Sequence, residues 1–221
     1  MEDLLLPTHV FSCPNKKSYL DNERQLLPTH DSRRIQRRKL DRHIRQVRYN
    51  KRSSFARQMS IAVFVDPSLT YFFRQFNFDN FVELEAYIKS VMGIASQILH
   101  DPTLKQDIEV KMRKLTIIPH EKNGPTYRVM DSKKGMVDAD ILLTNFCHFQ
   151  HQLNEINPEN YAHWDVAVYI TKHNLCTSDG TCDTLGLAEK YSICSPSKSC
   201  TVIEDTGLAT AFTIAHEIGH L

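Results

Sequence analysis

Residues 216–220 read His-Glu-Ile-Gly-His, inside the closing stretch Thr206 to Leu221 (TGLATAFTIAHEIGHL). Residues four apart lie on one face of a helix, so His216 and His220 can offer two imidazole nitrogens to one metal ion. Zinc accepts such nitrogens at about 2.0–2.1 Å. Glu217 can take a proton from an attacking water and return it to a leaving amine. The pattern H-E-x-x-H therefore predicts a zinc peptidase.

The residues around the motif are apolar on nearly every side of the expected helix. They are Leu208, Ala209, Ala211, Phe212, Ile214, Ala215, Ile218 and Leu221. Such a helix is expected to be buried. Two histidines and a glutamate in a buried helix need partners, because unpaired buried polar groups are costly. We therefore favour Zn²⁺ as the cofactor over a solvated surface pattern.

Composition limits the remaining options. The 221 residues allow one or two domains, and 41% of them are hydrophobic, enough for a core. No run of about 18 apolar residues occurs, so no membrane span is expected. The stretch Met1 to Phe11 lacks the basic region and apolar core of a signal peptide. Either the protein stays inside the cell or its true N-terminus lies upstream.

The net charge of +1 hides a basic arm at residues 1–58, which we interpret as poorly ordered. Three interpretations of the arm remain open. It is a solvated linker, a polyanion-binding patch, or a cleavage zone for convertases specific for basic residues. Residues 59–221 then form an incomplete catalytic domain.

From Met59 onward, strand and helix signals alternate along the chain. Strands are predicted at 61–65, 115–118, 164–170 and 183–188, and helices at 81–99, 137–156 and 206–221, with Asn80 and Glu83 as a capping box. This alternation predicts an α/β fold, with a mostly parallel sheet and helices on its faces.

Four cysteines, namely Cys176, Cys182, Cys194 and Cys200, crowd the 25 residues before the motif. Their spacing leaves five residues between paired cysteines, whereas structural zinc sites prefer two to four. Disulfides, and hence the secretory route, are favoured. The lack of a signal peptide then indicates truncation.

Five short runs of sequence carry a resemblance to a known protein family. The matching runs are Asn145 to Gln150 (NFCHFQ), Trp164 to Val168 (WDVAV), Cys182 to Ala188 (CDTLGLA), Cys200 to Leu208 (CTVIEDTGL) and Ala211 to His220 (AFTIAHEIGH). Residues 146–221 resemble the catalytic domain of ADAMTS metalloproteases, in the adamalysin/reprolysin group of metzincins. Residues 1–58 resemble the end of a prodomain in basic character alone, so the arm would be a prodomain remnant or linker. The resemblance implies a metzincin-like N-terminal subdomain, with an antiparallel edge strand and the active-site helix at its end.

The resemblance also implies disulfides Cys147–Cys200 and Cys176–Cys182, and a partner for Cys194 beyond Leu221. A peptide substrate would lie along the edge strand, against Thr184, Leu185, Gly186, Leu187 and Ala188. An edge strand has unpaired backbone groups that can bond such a peptide.

Structural calcium is a further implication of the resemblance. Its ligands would be oxygens of Leu175, Cys182, Thr184 and Glu204, with Asp165 at a separate calcium. The alternative for Asp165 and Glu204 is an ordinary surface or helix-end charge. Asn174 and Ser60 stand where the family usually has acidic ligands, so one calcium is expected to be weak or absent.

Metzincins extend the motif to H-E-x-x-H-x-x-G-x-x-H. The third histidine and the methionine turn would lie beyond Leu221, so the chain is expected to be a fragment, inactive by itself. Cys13 is either a thiolate block on the zinc or the partner of a missing cysteine. We interpret His148 and His151 as surface residues and Trp164 as a core residue.

The predicted function is zinc-dependent cleavage of an extracellular protein, in a secreted or matrix enzyme. No nucleic acid partner is expected, and a sulfated polyanion is the alternative ligand for the basic arm. Two other functions stay open: a non-catalytic secreted binding protein that keeps the fold, and another zinc hydrolase with a downstream carboxylate ligand.

Overall fold

The structure is a computed structural model that describes residues 57–76, 81–104, 108–154, 160 and 162–221. The predictions for the basic arm, Cys13 and Asn80 lie outside the described residues. Within the described part, no helix is both long and apolar enough to cross a membrane.

Eight strands and four α-helices make up the described chain. In order they are β1 (Arg57–Val65), α1 (Pro67–Arg74), α2 (Phe81–Leu99), β2 (Ile108–Ile117), β3 (Val129–Asp131), β4 (Met136–Asp138), α3 (Ala139–Leu153), β5 (Val166–Thr171), β6 (Asn174–Cys176), β7 (Gly186–Ala188), β8 (Cys200–Glu204) and α4 (Thr210–His220). Short 3₁₀ turns occupy Pro102–Leu104, Glu121–Asn123 and Gly207–Ala209.

The main sheet has the strand order β2-β1-β5-β8-β7. The first four strands run parallel, and β7 pairs antiparallel with β8 at one edge. A second sheet of β3, β4 and β6 lies beside it. The predicted α/β architecture, mostly parallel with an antiparallel edge strand, is confirmed.

Apolar side chains cover both faces of the main sheet. Along β1, Ile61 and Val63 pack with α2 and α4 on one face, whereas Ala62 and Phe64 pack with α3 on the other. All these side chains are fully buried. Burial on two faces is typical of parallel strands and explains their continuous apolar runs. Helix α4, which carries the His-Glu-Ile-Gly-His motif, is therefore one of the layers that cover the sheet.

Three strand predictions need correction at their starts. β1 begins at Arg57 instead of residue 61, because its extra residues pair with the start of β2. β2 begins at Ile108 instead of residue 115, because it pairs only with β1 and tolerates charged residues on its open side. β5 begins at Val166 instead of Trp164. The Trp164 N–H and carbonyl both bond the Asn154 side chain, at 3.1 and 2.8 Å, so Trp164 precedes the ladder.

The predicted edge strand 183–188 is shorter than expected, since β7 spans only Gly186–Ala188. A disulfide joins Cys182 to Cys176 and ties the preceding residues back to β6. Pairing with β8 therefore begins only at Gly186. β8 itself carries no strand prediction, although it is the central link between β5 and the edge.

The helix predicted at 137–156 spans Ala139–Leu153. Asp138 starts it, because its Oδ1 accepts a hydrogen bond from the Ile141 N–H at 3.0 Å. Val137 belongs to β4 instead. Helix α1 carries no prediction. Asp66 caps α1 through the Leu69 N–H at 3.1 Å, and Pro67 occupies its first turn.

The two disulfides implied by the family resemblance are both present. Cys147–Cys200 ties α3 to β8 across 53 residues of sequence, and Cys176–Cys182 closes a span of six. Cys194 is also disulfide-bonded.

Removing Cys147–Cys200 is expected to destabilise the fold more than removing Cys176–Cys182. Loop-closure entropy predicts a loss of about 4 kcal/mol for the longer loop and roughly 2 kcal/mol for the shorter one. Urea denaturation of the two double Cys→Ala variants measures both losses. Equal losses, or the reverse order, would show that the long disulfide does not stabilise by constraining the unfolded chain.

Candidate active site

The two histidines of the motif converge on one face of α4. His216 Nε2 and His220 Nε2 are 3.0 Å apart, and their rings are nearly perpendicular at 84°. His216 is exposed and His220 is half-buried, so both rings are accessible from solvent. Two nitrogens on a tetrahedral zinc, each at about 2.0–2.1 Å, stand ~3.3 Å apart. The observed separation lies within a few tenths of an ångström of that value, so the pair fits zinc.

Glu217 lies on the same helical turn, about 60° around the helix axis from His220, and is only 7% exposed. Burial raises the pKa of the Glu217 carboxyl above its ordinary value, and the imidazoles of His216 and His220 partly offset the rise. A carboxylate that has lost much of its hydration is a stronger proton acceptor. The environment therefore suits Glu217 to general-base chemistry.

Helix α4 is only partly buried, which corrects the prediction of burial on nearly every side. Ala211, Ile214 and Ile218 pack into the core, but Leu208 and Phe212 are 58% and 65% exposed. The helix covers one face of the sheet and turns its other face to solvent. Glu217 is therefore buried as predicted, whereas His216 is exposed, so burial does not require a metal partner for His216.

A buried carboxylate fixes the start of α4. Asp205 accepts hydrogen bonds at Oδ1 from the hydroxyls of Tyr87 and Thr210, the latter at 3.2 Å. Lys172 Nζ lies 3.2 Å from Asp205 Oδ2 and donates to the Asp205 carbonyl at 2.7 Å. These contacts join α2, the end of β5 and α4. Our sequence reasoning missed Asp205, although an aspartate just before a helix is a known start signal.

The loop after β7 holds the other end of α4. The Tyr191 N–H donates to the His220 carbonyl at 2.8 Å, and the Ile193 N–H donates to the Leu221 carbonyl at 2.9 Å. The last carbonyls of a helix have no partner within the helix. Tyr191 and Ile193 provide partners for two of these carbonyls. The loop therefore fixes the position of His220 at the end of α4.

The edge strand β7 packs directly against the motif. A Cβ added to Gly186 would lie 2.8 Å from Glu217 Cγ, 2.9 Å from Thr213 Cγ2 and 3.1 Å from Glu217 Oε1. Only glycine allows the strand to approach α4 this closely. Of the predicted substrate-binding residues, Gly186, Leu187 and Ala188 form the strand, and Thr184 and Leu185 precede it.

The outer edge of β7 pairs with no strand among the described residues. On its inner side, Leu187 O accepts a hydrogen bond from the Thr201 hydroxyl at 3.0 Å, and Leu185 O accepts one from the Glu204 N–H at 2.8 Å. The backbone is thus anchored to β8 on one side. An extended peptide can add to the other side.

The predicted calcium ligands fall in two separate places. Glu204 Oε2 accepts a hydrogen bond from the N–H of Leu175, the residue before the disulfide-bonded Cys176, at 2.9 Å. The Glu204 N–H donates to the carbonyl of Leu185, the residue after Thr184, at 2.8 Å. Burial raises the pKa of the Glu204 carboxyl. Within the described ranges, no three His, Cys, Asp or Glu side chains cluster as a metal site.

Asp165 has protein donors for its carboxylate. Its Oδ2 accepts hydrogen bonds from the Ser60 N–H and hydroxyl, both at 2.7 Å, and its Oδ1 lies 3.7 Å from His163 Nε2. These contacts join β1 to the start of β5. Asp165 is half-buried rather than a fully exposed surface charge, and Ser60 supplies hydrogen-bond donors where the family usually has an acidic ligand.

Other residues keep the ordinary roles assigned from sequence. His148 and His151 are exposed on α3, and His148 Nε2 lies 3.0 Å from Gln152 Nε2. Trp164 is 2% exposed and donates from Nε1 to Gln150 Oε1 at 2.9 Å. Trp164 is therefore a core residue.

Residues 56–221 match the reprolysin sequence family described as metallopeptidase family M12. The chain belongs to metallopeptidase family M12. The M12 assignment covers the whole described domain, including both histidines of the motif, and confirms the resemblance to ADAMTS-type reprolysins. Zinc is the cofactor that this family implies in general.

Two relatives illustrate how far the M12 similarity extends. The chain is 36% identical over 168 residues to "A disintegrin and metalloproteinase with thrombospondin motifs 8" of Homo sapiens, covering 76% of this chain and 17% of that protein. It is 32% identical over 220 residues to "A disintegrin and metalloproteinase with thrombospondin motifs 20" of Homo sapiens, covering 100% of this chain and 10% of that protein. The chain thus spans less than a fifth of either relative.

Proposed function

We propose that residues 59–221 form the first part of the catalytic domain of a zinc metalloendopeptidase that cleaves extracellular proteins. The observation that carries this proposal is the convergence of two imidazole nitrogens, 3.0 Å apart, beside a buried glutamate. His216 and His220 are the zinc ligands and Glu217 is the general base. The family match, which begins at residue 56, supports the division from the basic arm.

The residues of this chain divide the work of amide hydrolysis among them. Zinc, when bound, supplies Lewis-acid polarisation of the scissile carbonyl and of the attacking water. The Glu217 carboxylate accepts the proton of that water and then donates it to the leaving amine. Its buried position beside β7 holds it next to a peptide seated on the strand. The outer edge of Gly186–Ala188 orients that peptide through backbone hydrogen bonds.

The full site needs a third ligand, which the family motif puts six residues after His220. The motif within residues 1–221 supplies two imidazoles to the zinc. We therefore propose that this stretch alone binds zinc weakly and does not cleave peptides. Secretion is supported by the disulfides, which persist in oxidising compartments. We also propose calcium at Glu204, with oxygens of Leu175, Cys182 and Thr184, and a weaker site at Asp165.

Zinc content tests the ligand assignment. We expect the chain to bind zinc in equilibrium dialysis, and the double variant His216→Ala/His220→Ala to lose it. The double variant His148→Ala/His151→Ala is the matched control, because it removes two exposed histidines three apart on α3. Loss of zinc in the control but not in the motif variant would contradict the assignment.

Proteolysis tests the reaction, and it requires the longest chain that the transcript encodes. Zinc-dependent cleavage inside a protein substrate would support an endopeptidase. Zinc binding without cleavage would favour a non-catalytic binding protein. A downstream carboxylate in place of the third histidine would favour the other class of zinc hydrolase.

A further inference from the structure

Tyr191 has an unusual backbone for its residue type. Its φ is +58°, and it is the one residue other than glycine with positive φ in the described part of the chain. The left-handed region favours glycine, and a bulky side chain there is an outlier that the surroundings must impose. Such outliers cluster at functional sites.

The surroundings of Tyr191 do impose this conformation. Its N–H is held by the His220 carbonyl at 2.8 Å. The next residue, Ser192, is buried, and its hydroxyl lies 2.8 Å from the carbonyls of both Glu189 and Lys198. Ile193 then bonds the Leu221 carbonyl. The loop is therefore fixed on both sides of Tyr191 and against the end of α4.

The Tyr191 side chain takes no part in this anchoring, since it is 95% exposed. Among the large hydrophobic residues that are described, it is the most exposed. A rigid aromatic ring in solvent offers contact area at little cost in conformational entropy, which is typical of binding residues. Within the described residues, the loop therefore holds an almost fully exposed ring in a strained backbone conformation.

The position of Tyr191 in the chain keeps it close to β7, the strand proposed to bind the peptide. It follows the last residue of β7 by three positions, which limits its distance from the strand to about 10 Å. Its backbone also touches the residue that carries the second zinc-ligating imidazole. A peptide lying along β7 therefore runs toward Tyr191 at one end and toward Leu185, which is 46% exposed, at the other.

We propose that Tyr191 determines substrate specificity by packing its ring against one large apolar or aromatic side chain of a peptide bound on β7. This inference rests on the proposed peptidase function. It assigns to the strained loop a binding role that neither the motif nor the edge strand provides. Tyr191 binds substrate and takes no part in the proton transfers of Glu217.

Three substitutions separate the ring from the strain. Tyr191→Gly removes the ring and suits φ of +58°, so we expect a Tm equal to or above that of the parent. Tyr191→Ala removes the ring and keeps the strain. Tyr191→Phe keeps the ring and should rescue binding. Tyr71→Ala is the matched control, because Tyr71 is 66% exposed on α1, beyond the carboxyl end of β1.

The assay is cleavage of a peptide set, each varied at one position, by the zinc-loaded product of the longest transcript. For Tyr191→Gly and Tyr191→Ala, we expect KM to rise about tenfold for peptides with a large apolar residue at one position. That magnitude corresponds to the loss of one apolar contact. Changes in kcat should stay within about twofold, and Tyr71→Ala should match the parent. An unchanged KM profile in Tyr191→Gly would overturn the inference.

Binding of fluorescently labelled peptides, measured by anisotropy, separates this inference from the proposed function. If the parent binds peptides but cleaves none, the peptidase proposal fails, and weaker binding by Tyr191→Gly still supports the role of Tyr191. If the parent cleaves and all variants share its KM, only the inference about Tyr191 fails. If the parent binds no peptide, both fail.

Discussion

Replacing Glu217 with glutamine is expected to lower kcat for peptide hydrolysis by about 10²- to 10⁴-fold, the usual range for a lost general base. Glutamine has nearly the same shape, so it keeps the contacts with Gly186 and the packing of α4. It cannot accept the proton of the attacking water. We expect zinc content to match the parent, because His216 and His220 are unchanged. Steady-state kinetics measure kcat and zinc analysis measures the metal content, both on the longest chain that the transcript encodes.

The control for this substitution is Glu85→Gln, which removes a half-exposed carboxylate on α2 that pairs with Lys89, four residues away. Exposed pairs of this kind contribute little to stability, so we expect parental kcat and Tm. If Glu217→Gln keeps more than a tenth of the parental kcat, Glu217 is not the general base. The proton acceptor would then have to be another group.

The chemistry of the site could be predicted from sequence because helix geometry is local. A spacing of four fixes the relation of His216 to His220 before any tertiary contact is known. The strands β1 and β5 can also be recognised from their long apolar runs, since both faces of those strands are buried. The α/β class and the motif therefore follow from patterns that span fewer than ten residues.

β8 was missed because its pattern is too short to stand out. Only Val202 and Ile203 are large and apolar in Cys200–Glu204. Thr201 is nonetheless buried, because its hydroxyl bonds Leu187 O on the neighbouring strand. A polar residue whose partner lies on another strand resembles a loop residue in sequence. Tertiary pairing decides such a segment.

The supports of the site could not be predicted for a related reason. Asp205 acts through Tyr87, 118 positions away, and through Lys172, 33 positions away. Tyr191 is exceptional in its φ and in its exposure, and nothing in the neighbouring sequence reveals a left-handed backbone. Contacts at such sequence distances depend on the packed fold. Sequence therefore identifies the groups that react, and the structure adds the groups that hold them.

Replacing Gly186 with alanine tests one of those supports, and we expect it to lower kcat by about 10²-fold while zinc stays bound. The new Cβ would lie 2.8 Å from Glu217 Cγ, close to the root of that side chain, where no flexible end can move aside. The strand and α4 must separate, or Glu217 must rotate. A misplacement of about 1 Å can cost that factor in rate.

The matched control is Gly93→Ala on α2, where an added Cβ meets nothing within 4 Å. Alanine is the better helix former, so this variant should gain about 0.5–1 kcal/mol of stability and keep the parental kcat. Gly186→Ala should instead lose about 1–3 kcal/mol, as overpacked positions do. Urea denaturation measures the two stabilities, and steady-state kinetics measure the two rates.

A second substitution distinguishes crowding of the helix from misplacement of the base. Thr213→Ser removes the Cγ2 that would lie 2.9 Å from the new Cβ, but it leaves the contact with Glu217. In the Gly186→Ala background, we therefore expect part of the stability to return while kcat stays low. Recovery of kcat together with stability would mean that general crowding, rather than the position of Glu217, limits the rate. A parental kcat in Gly186→Ala alone would mean that β7 does not position the base.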